Sequence, residues 1–118
     1  MHEMGIAVSI LERVRAEVRK HGGARPVEVG VRVGALSGVD REALRFAFDA
    51  IVKDTDLDPL ALEIESVPHR RHCPRCRREY EAPDWGGPCP DCGEIRTRFL
   101  GGDELDVVYL EVEDPCPA

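Results

Sequence analysis

Residues 101–113, GGDELDVVYLEVE, decide how the chain is organised. Val107, Val108, Tyr109, Leu110 and Val112 form a β-branched and aromatic run after Gly101-Gly102, a strand signature. A lone strand cannot bury its own face, so this one must return to a sheet begun earlier. That sheet starts at residues 27–34, VEVGVRVG, where Val27, Val29, Val31 and Val33 alternate with Glu28, Gly30, Arg32 and Gly34. Period two gives one buried face. Residues 60–67, LALEIESV, repeat the pattern, with Leu60, Leu62 and Ile64 set against Ala61, Glu63 and Glu65. Residues 69–101 then become an insertion between two strands of one domain.

Two helices complete the frame. Ile6, Ile10, Leu11, Val14 and Val18 recur three and four apart, which predicts a helix over 4–20 with one apolar stripe. Arg19, Lys20 and His21 suit its C-terminus, and Gly22-Gly23 supplies the stop. Leu44, Ala47, Phe48, Ile51 and Val52 predict a second helix, with Ser37 and Asp40 matching a capping-box spacing ahead of it. The order α-β-α-β, cysteine module, β predicts an α+β fold: a three-stranded sheet with two helices carrying an inserted zinc-ribbon-like module. The expected domains are 1–68 with 102–118, and 69–101.

Composition narrows the function classes. The chain has 118 residues and a net charge of -7, which excludes a broad basic surface for nucleic acid. No apolar run approaches a membrane span. The first twenty residues have neither a basic n-region nor an apolar h-region, so a cytoplasmic location is expected.

Four of the five cysteines form CPRC at 73–76 and CPDC at 89–92. Two such knuckles can close a tetrahedral four-thiolate site at Cys73, Cys76, Cys89 and Cys92. Zinc suits it, and because four thiolates leave no open position the metal is expected to be structural. Iron held as in rubredoxin ranks second, since no redox partner or second cofactor is visible. Residues 69–99 hold seven Arg against five acids, and the -2 of a four-thiolate zinc cancels that +2. Docking of a protein is therefore favoured over docking of nucleic acid. His69 and His72, just ahead of Cys73, are auxiliary metal candidates. Cys116, in the tail DPCPA, is expected to be a free thiol. No nucleophile–base pair or phosphate loop appears, so no catalytic role is expected.

The N-terminal MHE, VGVRVGALSGVDREALRFAFDAI, LEIESVP, the paired knuckles and GGDELDVVYLEVE together resemble the HypA-like hydrogenase nickel-incorporation accessory proteins, over nearly the whole chain and in the same order. The resemblance implies a nickel metallochaperone with a nickel-binding α/β domain and a zinc domain. It would deliver Ni(II) during assembly of [NiFe]-hydrogenase, with a HypB-like accessory GTPase and the hydrogenase large subunit as partners. Urease as a further recipient and a homodimer stay open.

The chemistry of the chain end agrees. The α-amine of Met1, the amide nitrogen of His2 and the His2 imidazole are spaced to form adjacent chelate rings, and planar nitrogen ligation suits Ni(II). Glu3 is the natural fourth donor, through its amide or carboxylate, and Asp40 is an auxiliary candidate. The competing reading is a zinc-ribbon adaptor that binds a protein or nucleic-acid partner and uses no nickel.

Overall fold

The computed structural model describes residues 2–113; Met1 and Cys116, both singled out above, lie outside them. Helix α1 spans Glu3–Lys20, strand β1 Arg25–Gly34, helix α2 Arg41–Val52 and strand β2 Ala61–Val67. Short strands β3 (Arg70–Cys73), β4 (Arg78–Glu81) and β5 (Arg98–Gly101) follow, and the long strand β6 is Leu105–Glu113. The strands form two sheets, ordered β2-β1-β6 and β4-β3-β5. The last strand therefore does return, pairing antiparallel with β1, while β2 pairs parallel on the other side. Among the described residues no helix is long and apolar enough to cross a membrane.

Both helices pack on one face of the β2-β1-β6 sheet. Val29, Val31 and Val33 form the floor; Ile10 and Val14 of α1 and Leu44, Phe48 and Val52 of α2 are buried above it. Of the expected α1 stripe, Ile6, Leu11 and Val18 are only half-buried at its margin. The helix ends as its glycines predict. Gly23 N–H donates to Val18 O at 2.9 Å, with Gly22 at φ 75° and Gly23 at φ 77°, closing a Schellman-type cap.

Two local expectations are corrected, and β6 carries an irregularity of its own. Val27 is exposed and Pro26 is buried instead, because an irregularity between Pro26 and Glu28 resets the alternation before Val29. Ser37 is not part of a capping box. Asp40 itself caps α2, accepting from the N–H groups of Glu42 at 3.0 Å and Ala43 at 3.1 Å. The Ser37 hydroxyl accepts from Val39 N–H at 3.2 Å, a turn that Gly38 at φ 77° completes. In β6, a second bulge leaves Val108 opposite no β1 residue, so Leu110 meets Val29 and Val107 meets Val31. Three apolar residues of β6 thus reach the core margin without strict alternation.

Tyr109 falls opposite Gly30 on the outer face, its hydroxyl donating to Glu28 at 2.7 Å. A Cβ at position 30 would collide with the Tyr109 ring. The close approach to Gly30 and the bond to the Glu28 carboxylate hold that exposed ring in place, and the Glu28 hydrogen bond raises the tyrosine pKa to about 12. Gly30→Ala is expected to destabilise the protein by about 1–3 kcal/mol through overpacking. In a Tyr109→Ala background the same change should cost less than half as much, as read from urea unfolding of the four proteins of the cycle.

Candidate metal centre

The cysteine module is assembled by two knuckles of the same design. In the first, Arg77 N–H donates to Cys73 O at 2.8 Å; in the second, Gly93 N–H donates to Cys89 O at 2.9 Å. Each turn closes through a left-handed residue, Arg77 at φ 60° and Gly93 at φ 78°. The second cysteine of each pair also receives the backbone N–H two residues on, Arg78 for Cys76 and Glu94 for Cys92. Such N–H groups stabilise a thiolate.

The four sulfurs converge, all lying within 4.8 Å of one another. Sγ–Sγ separations across the knuckles are 3.5 Å for Cys73–Cys92 and 3.6 Å for Cys76–Cys89. These exceed the ~2.05 Å of a disulfide by far. A tetrahedron with metal–sulfur bonds of about 2.3 Å has edges of about 3.8 Å, so the arrangement fits zinc with little adjustment.

Without a cation, the four thiols oppose one another's ionisation. Burial and the neighbouring Cys89 and Cys73 thiols push Cys76 up to about 12. For Cys89, burial also opposes ionisation, but the N–H groups of Cys92 and Asp91 outweigh it and bring the thiol to about 7. Four like charges cannot coexist here without a cation. A zinc dication resolves the conflict, releases the protons and supplies folding free energy, about 10–16 kcal/mol for structural zinc in small peptides.

Neither candidate histidine of the module joins this cluster. His69 is 3% exposed, and its Nδ1–H donates to Pro83 O at 2.7 Å. Its Nε2 faces Arg71 Nη1 at 3.4 Å, and its ring stacks at a tilt on Phe99. Arg71 in turn donates to Thr97 Oγ1 and Thr97 O, each at 2.7 Å. His69 is thus a brace joining three segments of the module. His72 lies half-buried on β3, between Glu79 of β4 and Arg98 of β5 in register.

At the head of α1, His2 is the N-cap, exposed and without a side-chain capping bond. Glu3 reaches across to α2, its carboxylate accepting from Asp40 N–H at 3.1 Å. The two helix N-termini are thereby tied together, 37 residues apart in sequence. That bond, followed by the carboxylate's bond to its own backbone N–H, holds Glu3 below the ordinary carboxylate range. The tie is intact above that range and is lost only as pH falls through the lowered folded value. The sequence carried no signal for this contact, nor for the Arg71–Thr97 brace.

Residues 1–112 match the family described as "Hydrogenase/urease nickel incorporation, metallochaperone, hypA". The chain is 39% identical over 113 residues to the hydrogenase maturation factor HybF of Klebsiella pneumoniae, covering 96% of this chain and 100% of that one. It is 41% identical over 113 residues to the hydrogenase maturation factor HypA of Geobacter metallireducens, with the same coverage. Among solved structures, the Ni metallochaperone HypA from Helicobacter pylori is similar in fold, with a TM-score of 0.64 at 20% identity over 95% of this chain and 97% of that one. A second HypA solution structure gives a TM-score of 0.67 at 22% identity over 96% and 97%.

The two knuckles differ at the left-handed position, where Arg77 of the first corresponds to Gly93 of the second. A left-handed non-glycine residue costs about 1–2 kcal/mol, so Arg77→Gly should raise the module's stability by about that amount and Gly93→Ala should lower it. Zinc loss to a chelator at graded concentration, read with a colorimetric dye, checks both directions.

Proposed function

The chain belongs to the HypA family of hydrogenase/urease nickel-incorporation metallochaperones, and from that premise we propose how its residues divide the work. Zinc at Cys73, Cys76, Cys89 and Cys92 is structural, and nickel is cargo held at the chain end by Met1, His2 and Glu3. Residues 1–68 with 102–118 form the nickel-binding domain, and residues 69–101 the zinc domain. A HypB-like accessory GTPase and the hydrogenase large subunit are the partners, and urease is a further recipient in keeping with the family's description.

The observation that carries this reading is the position of His2 and Glu3 at the head of α1, beside the cap of α2. The first N–H groups of a helix have no intrahelical partner. The amide nitrogens of His2 and Glu3 can therefore lose their protons to a metal without breaking a helical hydrogen bond, while His2 O keeps its bond from Ile6 N–H at 3.2 Å. Helix N-termini disfavour cations. The Glu3 and Asp40 carboxylates and the charge left by amide deprotonation offset that field. The imidazole of His2, exposed and uncommitted to capping, completes the nitrogen set. Nitrogen donors in a plane favour Ni(II) and serve zinc poorly, so the two metals sort by geometry.

Placing cargo on a chain end also suits release. Ligand exchange with a recipient needs only the first turn of α1 to open, and the core begins at Ala7. Deprotonated donors are required, so nickel affinity should fall as pH falls.

A nickel titration of untagged, zinc-loaded protein is expected to show one nickel site per chain. Inserting one Gly before His2 should weaken nickel binding at least tenfold and leave zinc content at one per chain. Equal nickel affinity in the two proteins would sink the chain-end site and favour an adaptor without nickel.

A further inference from the structure

We propose that the free edge of β6, with the groove beside it, is a docking site for an extended protein segment that alternates apolar and basic residues. Among the described residues β6 is an outer strand of its sheet, with β1 on one side and no strand on the other. Such an edge presents unpaired backbone N–H and C=O groups, a template for one more strand. The claim rests on the fold and does not depend on the nickel reading.

The two faces of the edge set the chemistry of the occupant. On the core side, α1 stands away from β6 and leaves a groove. One stretch is a cavity of about 540 Å³ lined mainly by Ile6, Ser9, Ile10, Leu105 and Val107, with Arg13 and Asp106 at its border. A second, of about 300 Å³, follows along the same seam at Glu17, His21, Leu110 and Val112. The two helices thus cover β1 and β2 but leave β6 half-covered, and its apolar residues sit at the core margin.

On the outer side the sheet carries no helix. Among the described residues Glu28, Glu63, Glu65, Asp106 and Glu111 share that face with Arg32. Arg32 is already paired with Glu65 at 2.9 Å. Among the described residues Glu63, Asp106 and Glu111 have no ion-pair partner, and Tyr109 lies between the last two in sequence. A strand added to β6 sends alternate side chains to the two faces. Apolar ones enter the groove, and basic ones lie beside Asp106, Tyr109 and Glu111, where opposite charges and a cation–π contact favour them.

Charge also argues against a second copy of this chain as the occupant. Leu105–Glu113 contains Asp106, Glu111 and Glu113 and neither Lys nor Arg. Antiparallel pairing of two such strands brings acids together, and like charges across strands are destabilising. His2 lines one end of the groove, so a seated segment passes beside the residues proposed to hold nickel.

The test uses the full zinc-loaded chain without nickel and three eight-residue peptides with blocked ends: alternating Val-Lys, the same composition as a Val block and a Lys block, and alternating Val-Glu. The alternating Val-Lys peptide should bind at least tenfold more tightly than the block peptide and shift amide NMR signals along β6 and residues 5–13. Ser9→Trp, an exposed change that fills the groove, should weaken it at least tenfold. The double variant Asp106→Lys/Glu111→Lys, read independently of the groove, should reverse the preference toward Val-Glu. Equal binding of the block peptide, no binding at millimolar concentration, or shifts confined to other surfaces would overturn the proposal. So would self-association of the chain that Ser9→Trp abolishes, which would make a second copy the occupant.

Discussion

The structure depends on β1 having a neighbour on each side. Its core-facing Val29, Val31 and Val33 are the floor on which both helices rest, and its ladders fix β2 and β6 in register. Its far end does more. Gly34 N–H donates to Glu104 O, Ala35 N–H to Val67 O and Leu36 N–H to Gly102 O, at 2.7, 2.9 and 2.7 Å. The chain leaves the sheet at Val67 and re-enters it at Leu105, so both crossings into the cysteine module are stitched to one place. Gly34 permits this, because a Cβ there would collide with the Gly102 backbone. From the same point the turn through Gly38 carries Asp40 to Glu3. One strand end therefore sets where the module hangs and where the helix N-termini meet.

Elements stabilised by apolar burial were legible in the sequence, since burial imposes periodicity. Both helices, β1, β2 and the return of β6 follow from it. The errors fall where the backbone departs from regular pairing. The bulge beside Pro26 turns Val27 outward, and nothing in a run of valines marks a bulge. Strands β3, β4 and β5 were invisible for a different reason. RRHC, REYE and RFLG carry few apolar residues, and the module's order comes from metal and hydrogen bonds rather than from a buried stripe. The cysteines themselves were readable because a knuckle is local, with both ligands and the closing N–H within five residues. Glu3–Asp40 and Arg71–Thr97 are long-range polar contacts, and no local pattern encodes them.

The knuckles and the head of α1 follow opposite physical logics. At the knuckles every element favours permanence: left-handed closures, N–H groups aimed at sulfur, two buried cysteines of the four, and a full set of ligands. A metal held so is hard to exchange and is used to keep a small module folded. At the head of α1 the available donors are those the helix leaves unused, on an exposed first turn. A metal bound there, as proposed, disturbs no core contact when it leaves. Residence time is thus set by how much folded structure each site shares with its metal, in addition to ligand affinity.

His69 shows why the thiolate set is closed at four even though two histidines precede Cys73. The ring occupies a buried position with an acceptor, Pro83 O, on one side and a donor, the Arg71 guanidinium, on the other. An imidazole with its proton on Nδ1 meets both demands from one planar ring, and no aliphatic or amide side chain offers the same opposed pair at that width. Both nitrogens are thereby committed, and the tilt against Phe99 fixes the plane. Gly102 packs on the His69 backbone so closely that a Cβ would meet His69 Cα at 2.7 Å. The histidine that sequence spacing offers to the metal is instead the fastening between the module and the strand crossing beside β1. Recruiting it to zinc would require releasing Pro83, Arg71 and the crossing at Gly102 together. The cost of that rearrangement, rather than distance alone, separates His69 from the four sulfurs.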